Sequence, residues 1–410
     1  MNGGRTIPYE PGLDGLRGIS ILAVMAFHAC ATSGLSGWFR GGNLGVSVFF
    51  TLSGFLITSV LTTEIARDGR VDLGRFWTRR IRRLVPASLT VVLGVVVLTH
   101  AGLFEAHASD ATAAIWSATN WHVIAAGHDQ LLRTIVGPLG PTWSLAVEEQ
   151  FYVVLAIGVA LASRAARPDR LLAIGFGLMI AGSVVLANLV SDWPPRLEFG
   201  TDVRAAELAI GGLLAIVLRR ATWPERTVLA AAHLPTSAPS QPGPASSASE
   251  PDSSAVGTTG PGRLVDAVGV VGLAALASLV LFADYSPPWL LRGGFVVVAL
   301  VTAAILVSIV GHGRVGALLS IRWLVAVGRW SYSLYLVHWP VFLALSAERI
   351  GFDGVPLVAV KFAVAGAIGV ALHLVVEQPV RAAAPTSPAF TVGAWLATSA
   401  ALTALALVLL

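Results

Sequence analysis

Two ionisable residues near the start of the chain, Arg17 and His28, lie eleven positions apart. At about 100° per residue, eleven steps end only about 20° from three full turns, so on a helix the two share one face, roughly 16 Å apart along the axis. That face would join an anion-binding guanidinium to a potential base. Spacing alone leaves a second reading open, a boundary anchor and a packing histidine, although an ionisable group inside an apolar run is a functional candidate by default. A further candidate is Glu148, within the segment from Thr142 to Tyr152. Ser144, Glu148 and Tyr152 recur at i, i+4 and i+8 and form a polar stripe, whereas Glu149 falls with Leu145 and Val153 on a more apolar side. Glu148 could orient His28 or hold a proton, or serve as a buried structural carboxylate. Between Phe76 and Pro86, both Arg79/Arg82 and Arg80/Arg83 have the i, i+3 spacing that could present a guanidinium pair to phosphate. The same cluster also reads as a topology signal.

Several other polar groups lie in or beside apolar runs. Asp14 could pair with Arg17 at i, i+3, Asp202 and Arg204 open one run, and His338, His373 and Glu377 punctuate the last ones. Each has a structural explanation taken singly. One cysteine, Cys30, and scattered histidines match no zinc spacing, so no metal site is expected. Gly41 to Gly45 is neither a P-loop nor a dinucleotide fingerprint, because no strand precedes it.

The elements that must hold these residues are membrane spans. With 55% hydrophobic and 12% charged residues in 410, the chain has more apolar surface than one soluble core encloses, and a lipid bilayer must take the rest. The net charge of +4 sits at the edges of apolar runs without aromatic interleaving, which argues against a nucleic-acid partner. Runs long enough to span fall near 19–33, 44–63, 84–104, 143–162, 171–190, 204–218, 264–283, 293–310, 323–345, 355–376 and 391–410. A weaker run at 111–126 reads as re-entrant or interfacial. The fold class is therefore all-α, a polytopic transmembrane helix bundle of about ten core helices plus one extra C-terminal span. The arginine-rich segment from Glu64 to Arg83 reads as a cytoplasmic loop, and alternation then puts Arg164, Arg167, Arg170, Arg219, Arg220, Arg226, Arg314, Arg322 and Arg381 on the same side, with a cytoplasmic N-terminus. Ala29-Cys30-Ala31 looks like a signal-peptide cleavage site, but Pro8, Glu10, Pro11 and Asp14 make a poor n-region and His28 interrupts the run, so no cleavage is expected. The domains follow: 1–226 as the first half of the core with six spans, 227–263 as a disordered Ser/Pro/Gly-rich cytoplasmic linker, 264–382 as the second half, and 383–410 as the extra helix.

With these segments in order, the chain resembles the acyltransferase-3 family of integral membrane O-acyltransferases. The resemblance covers roughly residues 9–382. It rests on Leu13-Asp14-Gly15-Leu16-Arg17-Gly18 followed by His28, which gives the family's Arg-x10-His; on Gly45 to Phe50 with Leu52 to Ile57; on the arginine run ending at Pro86; on Thr142 to Tyr152; on Thr201 to Arg204; and on Gly328 to His338. The resemblance implies transfer of an acyl group, often acetyl, from cytoplasmic acyl-CoA to a hydroxyl of a carbohydrate, glycolipid or glycosylated acceptor. It implies that Arg17 and His28 are functional and that Arg80 and Arg83, the family's Arg-x-x-Arg, meet the CoA phosphates. His28 would be the general base, with Glu148 holding its tautomer. Acyl-CoA is then a donor substrate, and no tightly bound cofactor is expected. No soluble hydrolase-like domain follows the core, which implies a separate protein for any second, extracytoplasmic step. The competing class is a transporter of an acidic or acylated solute, against which the lack of an internal repeat counts. External-loop residues Trp116, Trp121, His122 and His128 could stack on sugars or anchor at the interface, and they do not choose the acceptor.

Overall fold

The computed structural model describes residues 9–126, 137–220, 261–285, 287–384 and 386–410. Most of the linker expected at 227–263 lies outside the described residues; its last three positions open a helix. Eleven long helices correspond one to one with the eleven apolar runs: α1 (Pro11–Ala31), α2 (Gly45–Asp68), α3 (Leu73–His100), α4 (Thr142–Ala162), α5 (Pro168–Leu189), α6 (Thr201–Arg220), α7 (Pro261–Phe282), α8 (Phe295–Val310), α9 (Arg322–Ala344), α10 (Gly354–Leu372) and α11 (Pro388–Leu409). Nine helical segments among the described residues are long and apolar enough to cross a membrane. The other two long helices, α6 and α9, match that length but carry Asp202, Arg204 and Glu207, or Arg329, Tyr332, Tyr335 and His338. Arg204, Glu207, Tyr332, Tyr335 and His338 are buried against neighbouring helices, so these two helices need less lipid-facing apolar surface. The run at 111–126 overlaps the short helix Ala108–Ile115 and includes a second helical stretch from position 119, neither of spanning length within the described residues.

The bundle has two ends. One gathers the N-terminus of α1, the α2–α3 turn, the start of α9 and the segment after α10, and is rich in arginine. The other gathers the loops after α1, α3, α5, α7 and α9, tied by Gly41 N–H to Val280 O at 3.1 Å and Gly354 N–H to Ser33 O at 2.9 Å. The arginine run differs from expectation: it lies inside α3, which begins eleven residues before the apolar run. Asp72 caps α3 by accepting from Arg75 N at 2.9 Å, and arginine is a good helix former, so the helix starts well before its apolar part. The connecting loop shrinks to Gly69–Asp72, where Gly69 takes the left-handed conformation that ends α2.

α1 is central and packs most closely on α9. Gly328 of α9 makes that crossing possible, because a Cβ there would collide with the Asp14 carbonyl oxygen. Its apolar residues Ile21, Val24 and Met25 join Phe50 of α2, Phe151 and Tyr152 of α4, and Leu334 and Tyr335 of α9 in one core. A second core, with Leu13, Leu16, Leu52, Phe55 and Leu306, lies toward the arginine end. The extra helix α11 packs outside this core on α3 and on the short helix Ala108–Ile115, whose C-cap residue Trp116 donates through Nε1 to Thr403 Oγ1 at 3.1 Å.

Candidate functional site

α3 sorts its arginines by face. Arg82 turns outward and donates to the carbonyls of Val380 and Ala383, and Arg79 lies 3.9 Å from Glu64. Arg80 and Arg83 turn into the bundle. The Arg80 guanidinium stacks 3.9 Å above the Tyr152 ring. Arg83 is at the centre of a cationic group, within Coulombic reach of Arg17, Arg80 and Arg381. Its Nε is buried with no hydrogen-bond partner among the described residues. Of the two i, i+3 pairs, then, Arg79/Arg82 fastens α3 to its neighbours, and Arg80/Arg83 carries unspent donors inward.

Arg17 sits beside this group, where its Nε donates to Ser331 Oγ at 3.3 Å. The expected Asp14–Arg17 pair does not form. Asp14 instead accepts from the Tyr9 hydroxyl at 2.7 Å and lies 3.8 Å from Arg329 Nε, since Arg329 crosses to it from α9. Burial and the bond to Asp14 push the Tyr9 hydroxyl up to about 12, so it remains a donor. The counter-charge beside Arg381 is Glu377, which accepts from Arg381 at 3.1 Å and Ser333 at 2.9 Å and pairs with His373 at 2.9 Å. A π-type turn over His373–Glu377 aims both side chains inward.

Deeper in the bundle, Glu148 accepts from Ser53 Oγ at 2.8 Å and Tyr152 OH at 3.1 Å. Ser144, one turn earlier on the same stripe, bonds Tyr335 OH at 2.7 Å. Glu149 faces the other way and takes a hydrogen bond from Ser117. The structure brings Glu148 to Tyr152 and within Coulombic reach of Arg17 and Arg80, but not to His28.

The partner of His28 is His338. Its Nε2 lies 3.0 Å from His28 Nδ1, and the rings stack with centroids 5.1 Å apart and planes at 26°. For two neutral imidazoles the pairing assigns the protons. His338 Nδ1 is 2.6 Å from the Tyr335 carbonyl oxygen, which can only accept, so that nitrogen carries the hydrogen. His338 Nε2 is then an acceptor, and His28 Nδ1 must donate to it. The lone pair of His28 is left on Nε2. Two neutral imidazoles in series thus leave one unprotonated nitrogen, the state a general base requires. Trp339 closes the site, its ring 4.8 Å from that of His28 and its Nε1 donating to Gly137 O at 2.9 Å. The contact to His28 expected of Glu148 is made instead by His338, which sequence pattern marked only as one of several polar residues on a late span.

Other charges are paired away from His28. Arg204 and Glu207 form a fully buried ion pair at 2.6 Å, with Arg204 also bound to Ser47 Oγ at 3.1 Å and Glu198 O at 2.7 Å. Among the loop aromatics, Trp121 Nε1 donates to Gln150 at 2.9 Å and His122 pairs with Asp110 at 2.9 Å; His128 lies outside the described residues. No cluster of metal-ligating side chains occurs among the described residues.

A family model described as an acyltransferase domain matches residues 10–377. The chain is 31% identical over 350 residues to the O-acetyltransferase OatA of Staphylococcus aureus strain NCTC 8325 / PS 47, covering 83% of this chain and 52% of that protein. It is 33% identical over 389 residues to the putative peptidoglycan O-acetyltransferase YrhL of Bacillus subtilis strain 168, covering 91% and 55%. Against the peptidoglycan O-acetyltransferase OatA of Listeria monocytogenes it is 29% identical over 347 residues, covering 81% and 49%. The chain thus spans about half the length of these relatives. No solved structure matches it.

Proposed function

The chain belongs to the acyltransferase-3 family of membrane acyltransferases, and from that premise we propose that it moves an acetyl group from cytoplasmic acetyl-CoA to a hydroxyl of a cell-envelope carbohydrate. The observation that carries this reading is the arrangement along α1. Arg17 stands with Arg80 and Arg83 at the arginine end, and His28, with its Nε2 lone pair set by His338, stands roughly 16 Å away toward the other end. Buried guanidiniums that repel one another, one with an unpartnered Nε, suit a multiply charged anion, and a CoA carries phosphates at one end and a thioester on a long flexible arm. The phosphates would lie among Arg17, Arg80 and Arg83 while the arm runs past Tyr152 and Glu148 toward His28. The arginine end is cytoplasmic by the positive-inside bias, so the N-terminus is too.

His28 Nε2 takes the proton of the acceptor hydroxyl as that oxygen attacks the thioester carbonyl. The new C–O bond forms, the C–S bond breaks, and the imidazolium returns the proton to the departing sulfur, giving an ester and CoA thiol. During this step the His28 Nδ1–H bond to His338 holds the ring. Glu148, near Arg17 and Arg80, balances the inner arginines. The names of the relatives point to peptidoglycan as the acceptor class. The purified protein in vesicles, given acetyl-labelled acetyl-CoA on one side and peptidoglycan glycan fragments on the other, tests the reading. Thioester cleavage with label on the glycan supports it, and passage of intact labelled solute without cleavage contradicts it.

A further inference from the structure

Lys361 is the chain's one lysine; every other basic residue among its 27 Lys and Arg is arginine. It projects from α10, is 0% exposed, and its Nζ donates to Thr32 O at 2.8 Å, Thr32 Oγ1 at 2.8 Å and Ser33 Oγ at 3.0 Å. An ammonium has three donors on one tetrahedral nitrogen, and here all three are used. A planar guanidinium, with five donors spread over a fork, cannot converge on three oxygens around a point in a closed site. The residue type is therefore matched to this contact in a chain that otherwise uses arginine throughout.

The acceptors belong to the end of α1. Thr32 is its C-terminal cap, and both its N–H and its hydroxyl return to the His28 carbonyl, at 3.1 and 2.7 Å. The C-terminal end of a helix carries negative partial charge, and here the carbonyl of the cap residue itself is taken up by Lys361. Lys361 Nζ supplies a cation and three hydrogen bonds just where order is needed, four residues beyond His28. On the other side of the same turn, the His28 ring is held by the stack and hydrogen bond to His338 and by the Trp339 ring.

Resting on the acyl-transfer reading, we propose that Lys361 is a positioning residue for His28: by clamping the Thr32–Ser33 cap of α1 from α10, it holds the imidazole in register with His338 and with the reacting hydroxyl. It touches neither donor nor acceptor and acts through Thr32.

The test uses the purified full chain in vesicles with acetyl-CoA and glycan fragments, read by release of CoA thiol. Lys361→Met keeps the length of the stem and removes the ammonium. Its kcat is expected to fall about 10- to 100-fold, the scale on which displacing a catalytic group by an ångström acts. The KM for acetyl-CoA should stay within about twofold, because the arginine end is untouched. Thr32→Val, which removes the hydroxyl relay, should show the same split, and Thr32→Ser, which restores it, should recover kcat. A lysine that only stabilised the fold would lower the amount of folded protein while leaving the kcat of that fraction, and the difference between Val and Ser at position 32, unmoved. Wild-type kcat in folded Lys361→Met overturns the proposal; should that variant not fold, wild-type kcat in Thr32→Val overturns it. An inactive wild-type chain would instead count against the acyl-transfer reading itself.

Discussion

His338→Phe isolates the orienting contact from the shape of the site. His338 is completely buried, and its ring stacks on His28, so phenylalanine keeps an aromatic plane of similar size and removes only the Nε2 acceptor and the Nδ1 donor. In the native site His28 Nδ1–H is satisfied at 3.0 Å. Without that acceptor, the tautomer with a free Nε2 must bury an unpaired N–H, which costs about 1–3 kcal/mol. The ring escapes the cost by moving its proton to Nε2, and there it is no longer a base. At about 1.4 kcal/mol per tenfold, the reactive tautomer is depleted about 5- to 150-fold. Initial rates of CoA thiol release in vesicles, over a range of acetyl-CoA concentrations, should show this loss in kcat with KM little changed. His338→Gln, whose amide oxygen can accept from His28 Nδ1, should recover part of it. A folded His338→Phe protein with kcat within about twofold of wild type would refute the tautomer argument.

Three further outcomes follow from the sorted charges and the helix crossing. Arg80→Ala or Arg83→Ala should raise the KM for acetyl-CoA and flatten its dependence on salt, whereas Arg79→Ala and Arg82→Ala, which point away from the site, should leave KM unchanged and lower the melting temperature; equal effects on KM from both pairs would remove Arg80 and Arg83 from the donor site. Glu207→Gln leaves the Arg204 charge buried without its partner and should destabilise the protein by about 3–5 kcal/mol, read as a loss of thermal stability in detergent; unchanged melting would contradict a structural role for the pair. Gly328→Val drives a side chain into the Asp14 carbonyl, separates α1 from α9 and should abolish activity together with folded yield; a stable, active variant would contradict the close crossing.

The spans were legible because each is an apolar run bounded by turn residues or arginines, and bilayer burial acts on that property alone. The true start of α3 was not, since a helix may leave the membrane as an arginine-rich amphipathic turn, and hydropathy is silent about whether such a segment is helix or loop. The shared face of Arg17 and His28 could be computed from spacing, and so could the Ser144/Glu148/Tyr152 stripe, because both lie within single helices. The partners across helices could not. His338 is 310 positions from His28, and Arg329 reaches Asp14 from across the α1–α9 crossing. Lys361 likewise acquires its partner only where α10 meets the cap of α1. Periodicity ranks the groups on one helix, and tertiary packing decides which of them meet. That is why Glu148 was matched with His28 by pattern and with Ser53 and Tyr152 by structure.

Turnover of acetyl-labelled acetyl-CoA by wild-type protein and by His28→Ala, measured side by side in vesicles with glycan fragments present, tests the account most directly. The account predicts that the wild-type chain cleaves the thioester and transfers the label to a carbohydrate hydroxyl, and that His28→Ala, folded and still binding acetyl-CoA through its arginines, loses about 100- to 10,000-fold of that rate, the range a positioned general base supplies. Normal transfer by folded His28→Ala would contradict it.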